Sequence, residues 1–214
     1  EFTLDHPFDG KWGGSFSYVL SRSNGTAEGY VQSTNQQDDP GATQDFDFAS
    51  FTHGARGDLP NDRRHVFKLF GTYAVTDAFR VGFNATVASG RPLSCVGYVP
   101  PTVADYNPTA DGKKGSSSYE PYAPSSYYCW TDPEKKLSQL IPRGTVGRTP
   151  WTYRADIQLA YTPKISSGKL TLQMNIFNVL NSQKPERLNE FHDVNSTTKR
   201  SEEHTSELQS RFGI

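Results

Sequence analysis

Residues 151–181 read WTYRADIQLAYTPKISSGKLTLQMNIFNVLN. Through the first half of this stretch every odd position is apolar: Trp151, Tyr153, Ala155, Ile157, Leu159 and Tyr161. Thr152, Arg154, Asp156, Gln158, Ala160 and Thr162 hold the even positions. Side chains alternate across a strand, so the spacing predicts one apolar face and one face carrying both charges. Pro163 and the run KISSGK then mark a turn centred on Ser166, Ser167 and Gly168. Leu170, Leu172, Met174 and Ile176 restore the apolar phase opposite Thr171, Gln173 and Asn175. The stretch is an amphipathic hairpin.

Two solvents suit such a hairpin. In a sandwich or a soluble barrel the apolar face meets a core and the polar face meets water. In an outer-membrane barrel the apolar face meets lipid and the polar face lines the lumen. The 11 residues from Trp151 to Tyr161 are enough to cross a bilayer at the usual strand tilt. Aromatics stand at both ends of the apolar face and aliphatics in its middle, as two membrane interfaces flanking hydrocarbon require. The sequence favours the membrane.

The rest of the chain repeats the pattern. Trp12, Gly14, Phe16, Tyr18 and Leu20 alternate with Gly13, Ser15, Ser17, Val19 and Ser21. Phe67, Leu69, Gly71, Tyr73 and Val75 follow, then, after a tight turn at Thr76, Asp77 and Ala78, Phe79, Val81, Phe83, Ala85 and Val87. Residues 1–4 read as the end of a further strand and residues 5–10 as a turn. Phe70 and Phe177 fall out of phase. Connections are alternately short and long, the long ones being 22–61 and 90–148. A long irregular loop counts against a compact soluble domain but is expected on the outside of a barrel.

Composition excludes several classes. Of 214 residues 34% are apolar and 13% aromatic, with a single Met, which argues against a helical bundle. No run approaches the length of a spanning helix. The net charge of −1 gives nucleic-acid binding no electrostatic support. The chain opens on EFTL with neither an initiator Met nor a signal peptide and reads as an excerpt of something longer.

Several ordered motifs resemble a family. EGYVQST (28–34), QDFDF (44–48), LPNDRRH (59–65), KLFGTY (68–73), SGRPLSC (89–95), GRTPW (147–151) and NIFNVLN (175–181) are similar to the C-terminal barrel of TonB-dependent outer-membrane receptors. The Oar-like subgroup, which carries an N-terminal carboxypeptidase-regulatory-like domain, is the most similar. The resemblance covers residues 1–193. It implies a Gram-negative outer membrane, a 22-stranded barrel, a plug domain and a TonB box lying outside this stretch, and no cofactor. By contrast RSEEHTSELQS (200–210) resembles a translated sequencing-adapter oligonucleotide, so residues 200–214 are set aside as an artefact.

Candidate chemistry is sparse. No G-x-S-x-G, H-E-x-x-H or phosphate-loop pattern occurs, and the expectation is a protein that is not an enzyme. Cys95 and Cys129 share the second long connection, where an oxidising setting favours a disulfide over free thiols or a metal site. Asp38, Asp39, Asp45 and Asp47 read either as a solvated acidic loop or as oxygen ligands for calcium, without EF-hand spacing. Asp62, Arg63, Arg64 and His65 are either ligand contacts at a barrel mouth or an ion-pair network tying loop to rim. Lys68, Arg80, Arg154 and Asp156 all fall on the non-apolar face and are expected to face the lumen. Of three glycosylation-like triplets, the one at Asn84 sits mid-strand, where a glycan does not fit.

The expected fold class is therefore all-β: an antiparallel, up-and-down transmembrane β-barrel portion of five to six strands from a larger, 22-stranded barrel. It occupies residues 1–199, with 22–61 and 90–148 as extracellular loops. The expected function is TonB-energised uptake of a scarce solute. The expected partners are outer-membrane lipid, the TonB complex and an unknown small solute. A passive porin and a soluble β-sandwich binding module or adhesin are the alternatives.

Overall fold

A computed structural model describes residues 1–35, 41, 43, 45, 46, 49–97, 126–132, 137–166 and 170–190. Its strands are β1 (Phe2–His6), β2 (Trp12–Leu20), β3 (Asn24–Gly25), β4 (Gly57–Asp58), β5 (His65–Ala74) and β6 (Phe79–Ala88). They continue with β7 (Pro92–Leu93), β8 (Tyr128–Asp132), β9 (Leu137–Leu140), β10 (Gly147–Arg148), β11 (Thr152–Tyr161) and β12 (Leu172–Ile176). The chain divides into two compact units: residues 1–22, 63–90 and 149–186 form one, and 23–62, 91–148 and 187–214 the other.

The first unit is a six-stranded antiparallel sheet in the order β1-β2-β5-β6-β11-β12. Its long strands follow one another in chain order, which makes it an up-and-down meander. The sheet is open among the described residues, with β1 and β12 as its edges. The alternation in the sequence fixes the register, because a slip of one residue would exchange the two faces. One row runs Leu4↔Phe16, Phe16↔Leu69, Leu69↔Ala85 and Ala85↔Ala155. The next row on that face runs Gly14↔Gly71, Gly71↔Phe83, Phe83↔Ile157 and Ile157↔Ile176. One face is thus apolar across all six strands.

The two ends of this face differ from its middle. Trp12, Tyr73, Phe79 and Tyr161 stand beside the short turns, and Tyr18, Phe67 and Tyr153 toward the long connections. There the Tyr18 and Phe67 rings stack at 4.7 Å, and His65 stacks on Trp151 at 5.8 Å. Tyr153 and Tyr161 are eight residues apart, about 27 Å along a strand. Among the described residues of this unit, no second layer covers the apolar face. Leu69, Phe83, Met174 and Ile176 are each exposed by 42% or more.

One boundary departs from the sequence reading. Residues 5–10 were expected to turn, yet β1 runs through Asp5 and His6. Asp5 pairs with Ser15 on the polar face, and the His6 ring stacks on Trp12 at 3.6 Å. The turn follows, held by Asp9, whose carboxylate accepts the Lys11 and Trp12 amides. Those two amide bonds hold the Asp9 carboxyl below its usual range.

Among the described residues, the second unit contains most of the buried apolar ones. Phe51, Val96, Tyr127 and Cys129 are all within 1% of complete burial. Short pairs β3–β4, β7–β10 and β8–β9 organise it, the last with a bulge between Trp130 and Asp132. The stretches 22–61 and 90–148 are therefore more than irregular loop.

Candidate functional site

Among the described residues of the second unit, three arginines pair with carboxylates of distant segments. Arg143 is completely buried. Its Nε donates to the Ala55 carbonyl at 2.7 Å and its Nη2 to the Thr26 carbonyl at 3.1 Å. Glu28 and Asp45 stand 3.8 Å from its guanidinium, which lies 4.9 Å from the Tyr127 ring centroid. Low dielectric makes such charges costly unless paired, and the two carboxylates supply that pairing, although Arg143 Nη1 itself makes no hydrogen bond among the described residues. Glu28 is held in turn by the Ser33 amide and hydroxyl, at 3.1 and 2.7 Å. Burial raises the Tyr127 phenol pKa, so it stays protonated.

Close backbone approach explains two glycines here. A Cβ on Gly57 would meet the Arg143 carbonyl oxygen at 2.1 Å. Gly144 has φ +72°, and a Cβ there would meet the Asp58 oxygen at 2.7 Å. Only glycine fits either position.

Arg148 makes the second junction. Its guanidinium pairs with the buried Asp62 carboxylate, reaches Asp58 Oδ2 at 3.2 Å and donates to the Asp62 carbonyl at 2.9 Å. Asp62 also accepts the Ser23 amide at 2.7 Å. The third junction joins Arg91 to Glu190, both buried, with the Ser94 amide on the second carboxylate oxygen at 2.6 Å. Burial pushes the Glu190 carboxyl up to about 7, against the pull of Arg91 and the Ser94 amide.

That shift has a sign. An acid with its pKa raised by folding stabilises the fold below the unfolded value of 4.5 and loses that contribution as pH rises through about 7. The span corresponds to at most about 3 kcal/mol. The Val96 amide donates to the Glu190 carbonyl, so it and the Ser94 amide report on this junction. Their hydrogen-exchange protection, corrected for intrinsic rate, should fall between pH 5 and 8, and Glu190→Gln should flatten the profile. Protection that rises with pH would mean that Arg91 outweighs burial.

Cys95 and Cys129 are joined in a disulfide with a Cα–Cα distance of 6.1 Å and a sequence separation of 34. Replacing both with serine should cost about 3–4 kcal/mol through the loop freed in the unfolded chain, read as a lower denaturation midpoint of the loops.

The structure distributes the other sequence candidates. Asp62 belongs to the Arg148 junction, whereas the Arg63 guanidinium caps the Ser89 carbonyl at 2.9 Å. His65 Nδ1 shares a hydrogen bond with the Tyr18 hydroxyl at 2.9 Å, and its backbone amide donates to Ser89 Oγ at 3.0 Å. The Arg64 carbonyl accepts the Ser21 amide. These residues do not converge on one point. Asp45, read as part of a solvated acidic loop, is instead 5% exposed and paired with Arg143. Asp38, Asp39, Asp47 and residues 200–214 lie outside the described residues. Among the described residues no His, Cys, Asp or Glu group suits a metal ion.

On the sheet, Lys68, Arg80, Arg154 and Asp156 share the face opposite the apolar one. Arg154 Nε donates to Asp156 Oδ1 at 3.2 Å, and the Asn178 amide adds a bond at 2.8 Å. The out-of-phase Phe70 and Phe177 are on this face too, 57% and 66% exposed. They line a recess of about 310 Å³ with Gly82, Asn84, Asp156 and Gln158. No sequence signal beyond their broken phase pointed to it.

Together these features define an all-β protein built on an open up-and-down sheet with one apolar and one polar face. Among curated proteins the chain is similar to the TonB-dependent transporter Oar of Myxococcus xanthus, 25% identical over 185 residues, which are 84% of this chain. The chain spans 14% of that relative's length. The similarity supports a relationship to TonB-dependent receptors. No family model matches the chain, and no solved structure matches it. Among the described residues no helix is long and apolar enough to cross a membrane, which says nothing of strands.

Proposed function

We propose that this chain forms part of the wall and outer loops of an Oar-like, TonB-dependent receptor in a Gram-negative outer membrane. The function is energised uptake of a scarce solute, without enzymatic chemistry. The observation that carries this reading is the apolar face running across six strands, over which the described residues of this unit place no second layer. In water such a face costs about 25 cal/mol per Å² of apolar surface, whereas lipid removes that cost. The similarity to a TonB-dependent transporter supports the same assignment.

In this reading Ala155 and Ile157 point to mid-bilayer, and Lys68, Arg80, Arg154 and Asp156 point to the lumen. The stretches 22–61 and 90–148 are extracellular, where an oxidising setting suits the Cys95–Cys129 bond. Solute capture falls to these loops and the polar wall. TonB engagement falls to a plug domain elsewhere in the protein, and no nucleic acid is involved.

A single-cysteine pair tests the face. In the full-length protein in bilayers, a fluorophore at position 157 should be quenched by a lipid-borne nitroxide, and one at position 158 should be reached by a water-soluble quencher instead. Absence of lipid-dependent quenching at 157 would refute the membrane assignment. Solute uptake that persists in cells lacking TonB would leave a passive pore.

A further inference from the structure

The apolar face is not uniform. Near the short turns, the Gly14↔Gly71 pair removes two side chains from adjacent strands. The Phe83 ring leans over Gly71, where a Cβ would meet it at 2.9 Å, and a Cβ on Gly14 would meet the Phe70 carbonyl oxygen at 2.9 Å, so neither position has room for a side chain. The result is a groove of about 650 Å³ lined by Leu4, Trp12, Phe16, Leu69, Tyr73 and Phe83.

A cation stands at its rim. The Lys11 ammonium lies 5.0 Å from the centroid of the groove-lining Tyr73 ring. The nearest acid in sequence, Asp9, is turned into its own turn by the Lys11 and Trp12 amides and lies 4.0 Å from His6. Asp5 borders the groove but its side chain shares the polar face with Ser15. A slot for hydrocarbon therefore ends at an ammonium over the Tyr73 ring, with Trp12 as the cross-strand partner of Tyr73. Aromatic side chains and a basic group at that level are the chemistry of a membrane interface.

We propose that this groove is a binding site for one anionic glycerophospholipid, with an acyl chain along Phe16 and Leu69 and its phosphate at Lys11. The inference rests on the membrane reading above and deepens it, since a lipid-facing surface need not hold any particular lipid. The short-turn end of a barrel faces the periplasm, so the lipid belongs to the inner leaflet of the outer membrane.

Photolabelling separates the outcomes. The probe is phosphatidylglycerol with a diazirine on one acyl chain, doped into phosphatidylcholine vesicles that hold the full-length protein. Insertion is mapped by mass spectrometry. Leu159 and Met174 are the internal control, because they share the cross-strand row of Trp12 and Tyr73. Phe16, Leu69 and Tyr73 should be labelled in clear excess over that pair. Lys11→Glu should lower groove labelling by about fivefold, the effect of one basic side chain near an anionic group, and Lys11→Arg should retain it. Equal labelling of groove and control would overturn the site and leave the membrane reading standing. Excess labelling that ignores Lys11→Glu and the probe's headgroup charge would overturn the phosphate contact. No labelling anywhere on this face would overturn both readings.

Discussion

Arg143→Ala should destabilise the loop unit by about 3–5 kcal/mol, because it removes one member of a buried charge network and leaves the others in place. Glu28 and Asp45 would keep their charges with the compensating guanidinium gone. The Thr26 and Ala55 carbonyls would each lose a donor, and Tyr127 would lose the cation over its ring. The measurement is the denaturant dependence of amide protection at Gly97 and Ile141, which donate to Ser126 and Tyr127. Arg154→Ala is the control. Its pair with Asp156 has the arginine side chain 63% exposed, and such pairs are worth no more than about 1 kcal/mol. Equal losses in the two variants would show that Arg143 does not hold the loops together.

Ile157→Arg should cost about 2–4 kcal/mol in the full-length protein in a bilayer, the range for a basic residue facing lipid at mid-membrane. Ile157 sits between Phe83 and Ile176 on the apolar face, with Leu159 beyond. Gln158→Arg should change stability little, since Gln158 is exposed on the polar face and bonds Asn175 at 3.0 Å. Reversible unfolding from lipid vesicles compares the two. A penalty of equal size at both positions would mean that the faces do not differ in solvent, and the membrane reading would fail.

The sheet was legible because its information is local. Period-two alternation in residues 12–20, 65–75, 79–88 and 151–161 states both the strand and its face. The paired registers then follow from matching like faces. The end of β1 was not legible, because Asp5 and His6 look like turn residues until Ser15 and Trp12 are opposite them. The loop unit was hidden for a deeper reason. A lone Arg143 in a polar stretch has no periodicity, and nothing near it in sequence names Glu28 or Asp45 as partners. The motifs that carried the resemblance did hold the signal. Glu28, Asp62, Arg91 and Arg148 all lie in them, and all four are junction residues. Position in a motif marked importance without revealing its kind.

The three junctions also restrict how such a protein can be re-engineered. Arg143 and Arg148 come from one long connection, Glu28, Asp45 and Asp58 from the other, and Asp62 stands directly after it. Grafting either connection alone onto a foreign scaffold would import charges without their counterparts. Exchange between related proteins is therefore expected to succeed when both connections travel as one cassette together with the segment that carries Glu190, the partner of Arg91, with variation confined to the segments between the anchoring arginines and acids.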